Sequence, residues 1–355
     1  MSSRITRGVV AVALAAVALA LPLYVDAFWL QLGAFAFAAG VGAIGLAILF
    51  GRVGQLSLAH SFFLAIGAYG YIWLASPAGG EDGWGLGLPS LLALPLAVGL
   101  AGLAGLVFSP IAGRLKGLYL GVSSIALVFI GQHVLFSAES LTGGYNGRSV
   151  PPLTVGSFEL SGSEPDLVVL GVPFGPEERM WYVTLLVLVV AALFASALLG
   201  GRVGRAFVAI RDGEVHAETL GVEVRRYRAV AFALSSVYAG LAGALLALSF
   251  QFVVPEYWGL LLSLEYLAMI VIGGQASILG AVLGAAVVSS LPTVLQRYGE
   301  AIPGVGAVGL GGLDPAVVAQ LCYGGLVVAI LLFEPRGLTA LFPRVLRGRT
   351  EGRSR

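Results

Sequence analysis

The chain has 355 residues, of which 58% are hydrophobic and only 11% are charged. Because soluble proteins carry about 25% charged residues, this composition excludes an ordinary water-soluble domain. A transmembrane helix needs ~20 apolar residues, so the chain has room for about ten spans. The 20 basic and 19 acidic residues nearly cancel, which excludes a strongly basic nucleic-acid-binding protein, and the single cysteine excludes an intramolecular disulfide.

Stretches without Asp, Glu, Lys or Arg mark the candidate spans in chain order. They are 8–25, 27–51, 53–80, 83–113, 117–138, 180–201, 229–255 and 315–333. One further stretch, 257–296, is longer than any of these and carries a single charge, Glu265. Because Gly273-Gly274 interrupts it near the middle, we predict two short helices there.

Basic residues cluster in alternate connections between these stretches, and short cytoplasmic loops carry the excess of Lys and Arg. Arg52, Arg114 and the region 202–228 would then lie in the cytoplasm with the basic tail, and the acidic region 139–179 would lie outside. Ten spans with both termini in the cytoplasm fit this pattern. A single helix over 257–296 would instead place the arginine-rich tail outside.

We therefore predict an all-α, polytopic membrane protein of about ten transmembrane helices. One transmembrane domain would cover 1–338, with an external loop at about 139–179, a cytoplasmic loop at about 202–228 and a basic cytoplasmic tail at 339–355. The first span, 8–25, follows two arginines and also has the features of a cleaved signal peptide. Because the next span follows almost at once, we favour a retained helix.

The sequence lacks the motifs of an enzyme or of a self-sufficient pump. The sole lysine, Lys116, is followed by Gly117 and Leu118, so there is no Walker A loop. The 3 histidines are far apart, and neither a His-Glu-x-x-His nor a Gly-x-Ser-x-Gly motif is present. We predict no cofactor, no metal site and no catalysis. Proton-coupled carriers place several ionisable groups in their spans, and here only Glu265 lies deep, which disfavours a secondary carrier or channel.

The cytoplasmic loop contains a periodic segment that predicts a short helix. Its small or apolar residues recur at spacings of four and three, which places them on one face; they are Ala206, Ile210, Gly213, Ala217 and Leu220. The charged residues that lie elsewhere around this helix are Arg211, Asp212, Glu214 and Glu218. Gly221 is a natural stop. The segment is either a docking helix for a cytoplasmic protein or a solvated connector on the membrane surface.

Several motifs occur in one order along nearly the whole chain. They are Gly54-Gln-Leu-Ser-Leu-Ala-His60, Ile66-Gly-Ala-Tyr69, Leu118-Tyr-Leu120, Thr142-Gly-Gly-Tyr-Asn-Gly147, Ala209-Ile-Arg-Asp212 with Gly221, Ala239-Gly-Leu-Ala-Gly-Ala244, Gly273-Gly274 and Phe333-Glu-Pro-Arg-Gly-Leu338. In this order they resemble the M-type permease subunits of branched-chain amino acid ABC importers. Simple-sugar or nucleoside ABC permeases differ in lacking the last pattern. The chain departs from the family pattern at Arg148 and Gln275, and urea, short amides or other small acids are alternative substrates.

The resemblance implies a non-catalytic subunit of a bacterial inner membrane that forms half of a translocation path. Its partners would be a related second permease, two cytoplasmic ATP-binding subunits and an extracytoplasmic binding protein. The cytoplasmic loop is similar to the family's coupling helix, which meets the ATPase. The candidate ATPase-coupling residues are therefore Arg211, Asp212, Glu214, Glu218 and Gly221.

Polar residues at membrane depth are the candidates for the path, since such groups need partners there. They are Gln55, Ser57, His60 and Glu265, together with the helix break at Gly273 and Gly274. Each has an alternative reading: a neutral His60 bonded to a neighbouring backbone, a Glu265 that binds a cation, a substrate amine or another helix, and a simple turn at the glycines. In the periplasmic loop, Tyr145 and Asn146 are candidates to contact the binding protein, although for Asn146 we favour the alternative that it caps a helix.

Overall fold

A computed structural model describes residues 16–78, 85–115, 117–169, 172–298, 315–333 and 337–340. The helices are α1 (Ala27–Leu46), continued by a π-helix (Ala47–Val53), α2 (His60–Ala75), α3 (Ser90–Arg114), α4 (Leu118–Ser137), α5 (Glu139–Thr142), α6 (Pro176–Gly200), α7 (Arg202–Asp212), α8 (Glu214–Thr219), α9 (Val224–Phe250), α10 (Leu260–Gly273), α11 (Ile278–Tyr298) and α12 (Pro315–Phe333). Single 3-10 turns lie at Leu21–Leu23, Gly144–Asn146, Pro255–Trp258 and Leu338–Ala340.

Nine of the helices in the described residues are apolar enough to belong to a membrane domain. Six are long enough to cross a membrane, namely α1 with its π-helix, α3, α4, α6, α9 and α11. Three are shorter, namely α2, α10 and α12. Every predicted span after the first has its helix, and the stretch 257–296 forms two helices as predicted. Only residues 16–25 of the first span, 8–25, and residues 339 and 340 of the basic tail are among the described residues, so the count of ten and the cytoplasmic termini stay predictions.

Helix α1 is the centre of the bundle. Its most apolar window is 83% buried within the chain, whereas the corresponding windows of α3, α4 and α11 are each 28% buried. Glycines on α1 allow this close packing: a Cβ atom on Gly42 would lie 2.6 Å from Cε1 of Tyr266, and one on Gly45 would lie 2.4 Å from Cβ of Tyr238. Small residues bring helix backbones together where lipid removes the hydrophobic drive for helix association.

The region between α5 and α6 contains short strands, so the fold is mostly helical and not wholly α-helical as predicted. The antiparallel strand pairs are β1 (Arg148–Ser149) with β6 (Phe252–Val253), β2 (Thr154–Val155) with β3 (Phe158–Glu159), and β4 (Leu167–Val169) with β5 (Val172–Phe174). Two residues join β2 to β3, and Gly156 has a φ of 64° as such tight hairpins require. Strands of two or three residues are too short to give a sequence period.

The bundle has two ends, which we name by their contents. The hairpin end contains the strands, and there the guanidinium of Arg297 lies 4.2 Å from the ring centroid of Phe28, at the start of α1. The α7 end contains α7, α8 and the turn between α10 and α11. At this end Arg211 donates a hydrogen bond to the carbonyl of Gly51 in the π-helix.

Candidate functional site

The predicted span 53–80 begins as irregular backbone and becomes helical only at His60. The π-helix ends at Gly54, which has a φ of 78°, and residues 54–59 have no regular structure. The N–H groups of Gly54 and Gln55 return to the carbonyls of Phe50 (3.1 Å) and Leu49 (3.2 Å). A glycine in the left-handed region ends a helix at no steric cost, which explains why a run without charges is still not one continuous helix.

Side chains from other helices replace the helical hydrogen bonds that this irregular segment lacks. The N–H of Leu58 donates to Oγ of Ser124 at 2.8 Å. One residue into α2, the N–H of Ser61 donates to Oγ of Ser263 at 2.9 Å. Irregular backbone in a membrane bundle persists only where protein or a water-filled cavity satisfies its polar groups. The segment is therefore held by α4 and α10.

Buried polar residues lie along the segment, in the first turn of α2 and on α10, and we call this set the break cluster. Its members are Gln55, Ser57, His60, Ser61, Ser263 and Tyr266, each at most 4% exposed. The imidazole of His60 and the ring of Tyr266 have centroids 4.7 Å apart. Among the described residues, Oε1 of Gln55, Nε2 of His60 and the hydroxyl of Tyr266 find no hydrogen-bond partner. Each unsatisfied buried polar group costs about 1–3 kcal/mol, so such groups call for a functional explanation.

Three of the residues selected from the sequence, Gln55, Ser57 and His60, lie along this segment; Nε2 of Gln55 donates to the carbonyl of Ala112 in α3 at 3.4 Å, and His60 packs against Tyr266. Ser263 and Tyr266 were not selected from the sequence; they lie three residues apart and hence on one face of α10. Glu265 lies beside Tyr266 on the same helix, but it is partly exposed whereas Tyr266 is fully buried. It therefore flanks the break cluster.

Gly273 and Gly274 form the turn between α10 and α11. Gly274 has a φ of 119°, and a Cβ atom on Gly273 would lie 1.8 Å from the carbonyl oxygen of Gly280. The backbones of the two helices are therefore in direct contact at this point. Of the two alternatives, the backbone geometry is that of a turn, and a place for the glycines in the path stays a prediction.

The predicted single helix of the cytoplasmic loop is two helices, α7 and α8, separated at Gly213. Ala206, Ile210 and Ala217 of the apolar stripe are buried, but Leu220 is 65% exposed. Gly213 adopts an extended conformation, so the helical phase is interrupted and the stripe does not reach Leu220. The second helix ends at Thr219 and Gly221 has a φ of 78°, in agreement with the predicted stop.

The five candidate coupling residues divide into two groups. Two contact their own chain: Arg211 bonds to Gly51, and Glu214 forms an ion pair with Arg228. Arg228 is only 9% exposed and was not selected from the sequence. The other three, Asp212, Glu218 and Gly221, are exposed, as are the neighbouring apolar side chains of Val215 and Leu220.

At the hairpin end, Tyr145 and Asn146 lie in a 3-10 turn and are exposed. The ring of Tyr145 is 83% exposed and has its centroid 4.7 Å from that of Phe136. Both residues are thus accessible to another molecule.

Arg179, in the first turn of α6, organises the loop beside them and was not selected from the sequence. It is 4% exposed, and its guanidinium lies 4.7 Å from the ring centroid of Phe158. The carbonyls that accept its hydrogen bonds belong to Glu159, Gly162, Ser163, Glu164 and Pro165. No sequence motif marks this contact, because every acceptor is a backbone atom.

A bundle of apolar helices, six of which are long enough to cross a membrane, defines a polytopic membrane protein. The chain matches the family described as branched-chain amino acid transport system, permease component, over residues 29–332. It therefore belongs to this family of ABC permeases, as its motifs indicated.

Individual relatives agree with this assignment. The chain is 30% identical to the high-affinity branched-chain amino acid transport system permease protein LivM of Escherichia coli (strain K12), over 92% of this chain and 73% of the relative. It is 26% identical to LivH of the same system and strain, over 72% of this chain and 81% of that protein. It is also 29% identical to the autoinducer 2 import system permease protein LsrC of Yersinia pseudotuberculosis, over 58% and 57% of the two chains.

Proposed function

We propose that the chain is one of two permease subunits of an ATP-driven importer for branched-chain amino acids in a bacterial inner membrane. Its partners are a related second permease, two cytoplasmic ATP-binding subunits and an extracytoplasmic binding protein. The family match over residues 29–332 and the similarity to LivM and LivH support this role. The similarity to LsrC means that family membership alone does not fix the solute, so urea, short amides and other small acids are the alternatives.

The break cluster is our candidate for the lining of the translocation path. The observation that supports it is the conjunction of an irregular segment, 54–59, with three buried polar atoms that lack partners among the described residues. A zwitterionic amino acid needs both donors and acceptors. His60 and Tyr266 can donate and Gln55 can accept, and polar groups that stay unpaired in one state are free to bind a solute in another.

The remaining candidate path residues have peripheral positions in this proposal. Glu265 flanks the break cluster, one residue from Tyr266. Gly273 and Gly274 shape the turn that packs against the end of the π-helix, so they act on the path through backbone packing.

The exposed side of α8 is our candidate for the contact with an ATP-binding subunit. It combines apolar side chains, Val215 and Leu220, with the carboxylates of Asp212 and Glu218. Exposed apolar groups beside charges are typical of a protein interface. Glu214 holds α8 to α9 through Arg228, and Tyr145 and Asn146 would meet the binding protein at the opposite end. In this assignment the α7 end faces the cytoplasm.

The first test is to express the chain with the products of its neighbouring genes, purify the complex and reconstitute it in vesicles. We expect ATP-binding subunits to co-purify, and leucine uptake to require both ATP and the binding protein. Vesicles without ATP and vesicles without the binding protein are the controls. A complex that hydrolyses ATP but does not take up leucine would redirect the substrate to urea or amides, whereas uptake by this chain alone would exclude an ABC permease.

A further inference from the structure

Arg211, the next-to-last residue of α7, is directed toward its own chain. Its Nη1 donates a hydrogen bond to the carbonyl of Gly51, in the last turn of the π-helix. Its Cγ would lie 3.5 Å from a Cβ atom on Gly54, so the aliphatic part of the side chain also follows this helix end. The last carbonyls of a helix have no donors within the helix, and a cation is favourable beside them. Arg211 thus caps the π-helix from an element outside the bundle.

Gly51 also contacts the turn between α10 and α11. A Cβ atom on Gly51 would lie 1.7 Å from the carbonyl oxygen of Gln275 and 3.2 Å from Cα of Ala276. These backbones are too close for any side chain, so the end of the π-helix and the turn form one junction. Three residues after Gly51 the chain enters the irregular segment that leads to His60. One hydrogen bond therefore connects α7 to the start of the break cluster.

We infer that Arg211 is a positioning residue that transmits displacement of α7 and α8 to the π-helix and, through it, to the irregular segment 54–59. The inference rests on the proposed function, in which an ATP-binding subunit moves α7 and α8. It differs from docking, because the guanidinium bonds to the permease itself. As Arg211 is an exposed residue, its replacement leaves no charge buried in the core.

The test compares three variants of the purified, reconstituted complex: Arg211→Met, Arg211→Lys and Arg205→Met. Arg205 is the matched control, since it is an exposed arginine on the same helix six residues earlier. Leucine uptake and ATP hydrolysis are measured in the same vesicles, which gives uptake per ATP hydrolysed. Hydrogen exchange of residues 54–59 with and without ATP provides a second measurement that does not depend on the solute.

We expect Arg211→Met to lower uptake per ATP about tenfold, the effect of one charge-assisted hydrogen bond. The ATP-dependent change in exchange at 54–59 should disappear with it. Arg211→Lys should recover part of both, because an ammonium can donate to the same carbonyl, and Arg205→Met should match the wild type.

Three results would overturn the inference: unchanged uptake per ATP and exchange in Arg211→Met, an equal loss in Arg205→Met, or loss of the ATP-binding subunits from the Arg211→Met complex, which would make Arg211 a docking residue. A wild-type complex without ATP-binding subunits is a separate result, since it overturns the proposed function before any variant is compared.

Discussion

The loop at the hairpin end and the break cluster use polar groups in opposite ways. Around Arg179, the two terminal nitrogens of one buried guanidinium donate to the carbonyls of five residues, and only its Nε lacks a partner among the described residues. In the break cluster, polar atoms of Gln55, His60 and Tyr266 are equally buried but lack partners among the described residues. Polar groups with hydrogen-bond partners stabilise one conformation. Buried groups without partners raise the free energy of the folded state, and another conformation or a ligand can supply the missing hydrogen bonds. The first region therefore keeps one set of contacts, and in our proposal the second changes its contacts during transport.

The largest expected effect is at Arg179. Arg179→Met should lower the free energy of unfolding by about 3 kcal/mol, because it leaves several carbonyls without donors and removes a charge-assisted network. Thermal unfolding of the purified chain in detergent measures this loss. Arg148→Met provides the control at the same end, since Arg148 is only half-buried. Equal stability of the Arg179 variant and the wild type would contradict the view that this contact holds the loop.

A smaller effect is expected at Glu214. Glu214→Gln leaves the buried guanidinium of Arg228 without its ion partner and should cost about 2 kcal/mol of stability. Glu218 is exposed on the same helix and is the matched control, so Glu218→Gln should change stability by less than about 0.5 kcal/mol. Denaturation of both variants measures the difference.

The same two positions separate packing from docking. Glu218→Lys reverses a charge on the proposed ATPase contact, so we expect fewer ATP-binding subunits to co-purify while the thermal stability of the chain is kept. Retention of the full complement of these subunits in Glu218→Lys would remove Glu218 from the contact.

The smallest change in stability, and the sharpest test of the comparison, comes from two tyrosines. The hydroxyl of Tyr238 donates to the carbonyl of Ala191 at 2.7 Å, whereas that of Tyr266 has no partner in the part of the chain that the structure describes. Tyr238→Phe should cost about 1 kcal/mol of stability and leave leucine uptake unchanged, because it breaks a made hydrogen bond. Tyr266→Phe should raise stability by about 1 kcal/mol, because it removes a buried hydroxyl without a partner, and it should reduce uptake. The opposite assignment of the two effects would show that the break cluster is only a packing feature.

The sequence was sufficient to predict most of the helices, because stretches without charge are direct evidence of length and polarity. It was insufficient at 54–59, where a charge-free run contains a glycine in the left-handed region that no hydropathy measure detects. The division of the loop 202–228 at Gly213 was missed for a related reason, since side-chain spacing does not report the backbone conformation of one residue.

The site was predicted in part for the same reasons. Gln55, Ser57 and His60 stand out as polar residues in an apolar run. Tyr266 and Ser263 do not, because their importance comes from contacts with α1 and α2 that are distant in sequence. Arg179 was counted only as a charge, because its hydrogen-bond acceptors are backbone carbonyls, which every residue has and which the sequence therefore does not distinguish.

The central position of α1 has a consequence for biosynthesis. The helices that cover it are α6, α9, α10 and α11, all of which follow it in the chain. A ribosome therefore delivers α1 to the membrane well before its neighbours exist, and lipid surrounds its glycine faces during that interval. Completion of the bundle requires contacts between residues far apart in sequence, which form slowly. The chain thus inserts its most enclosed helix early and encloses it late.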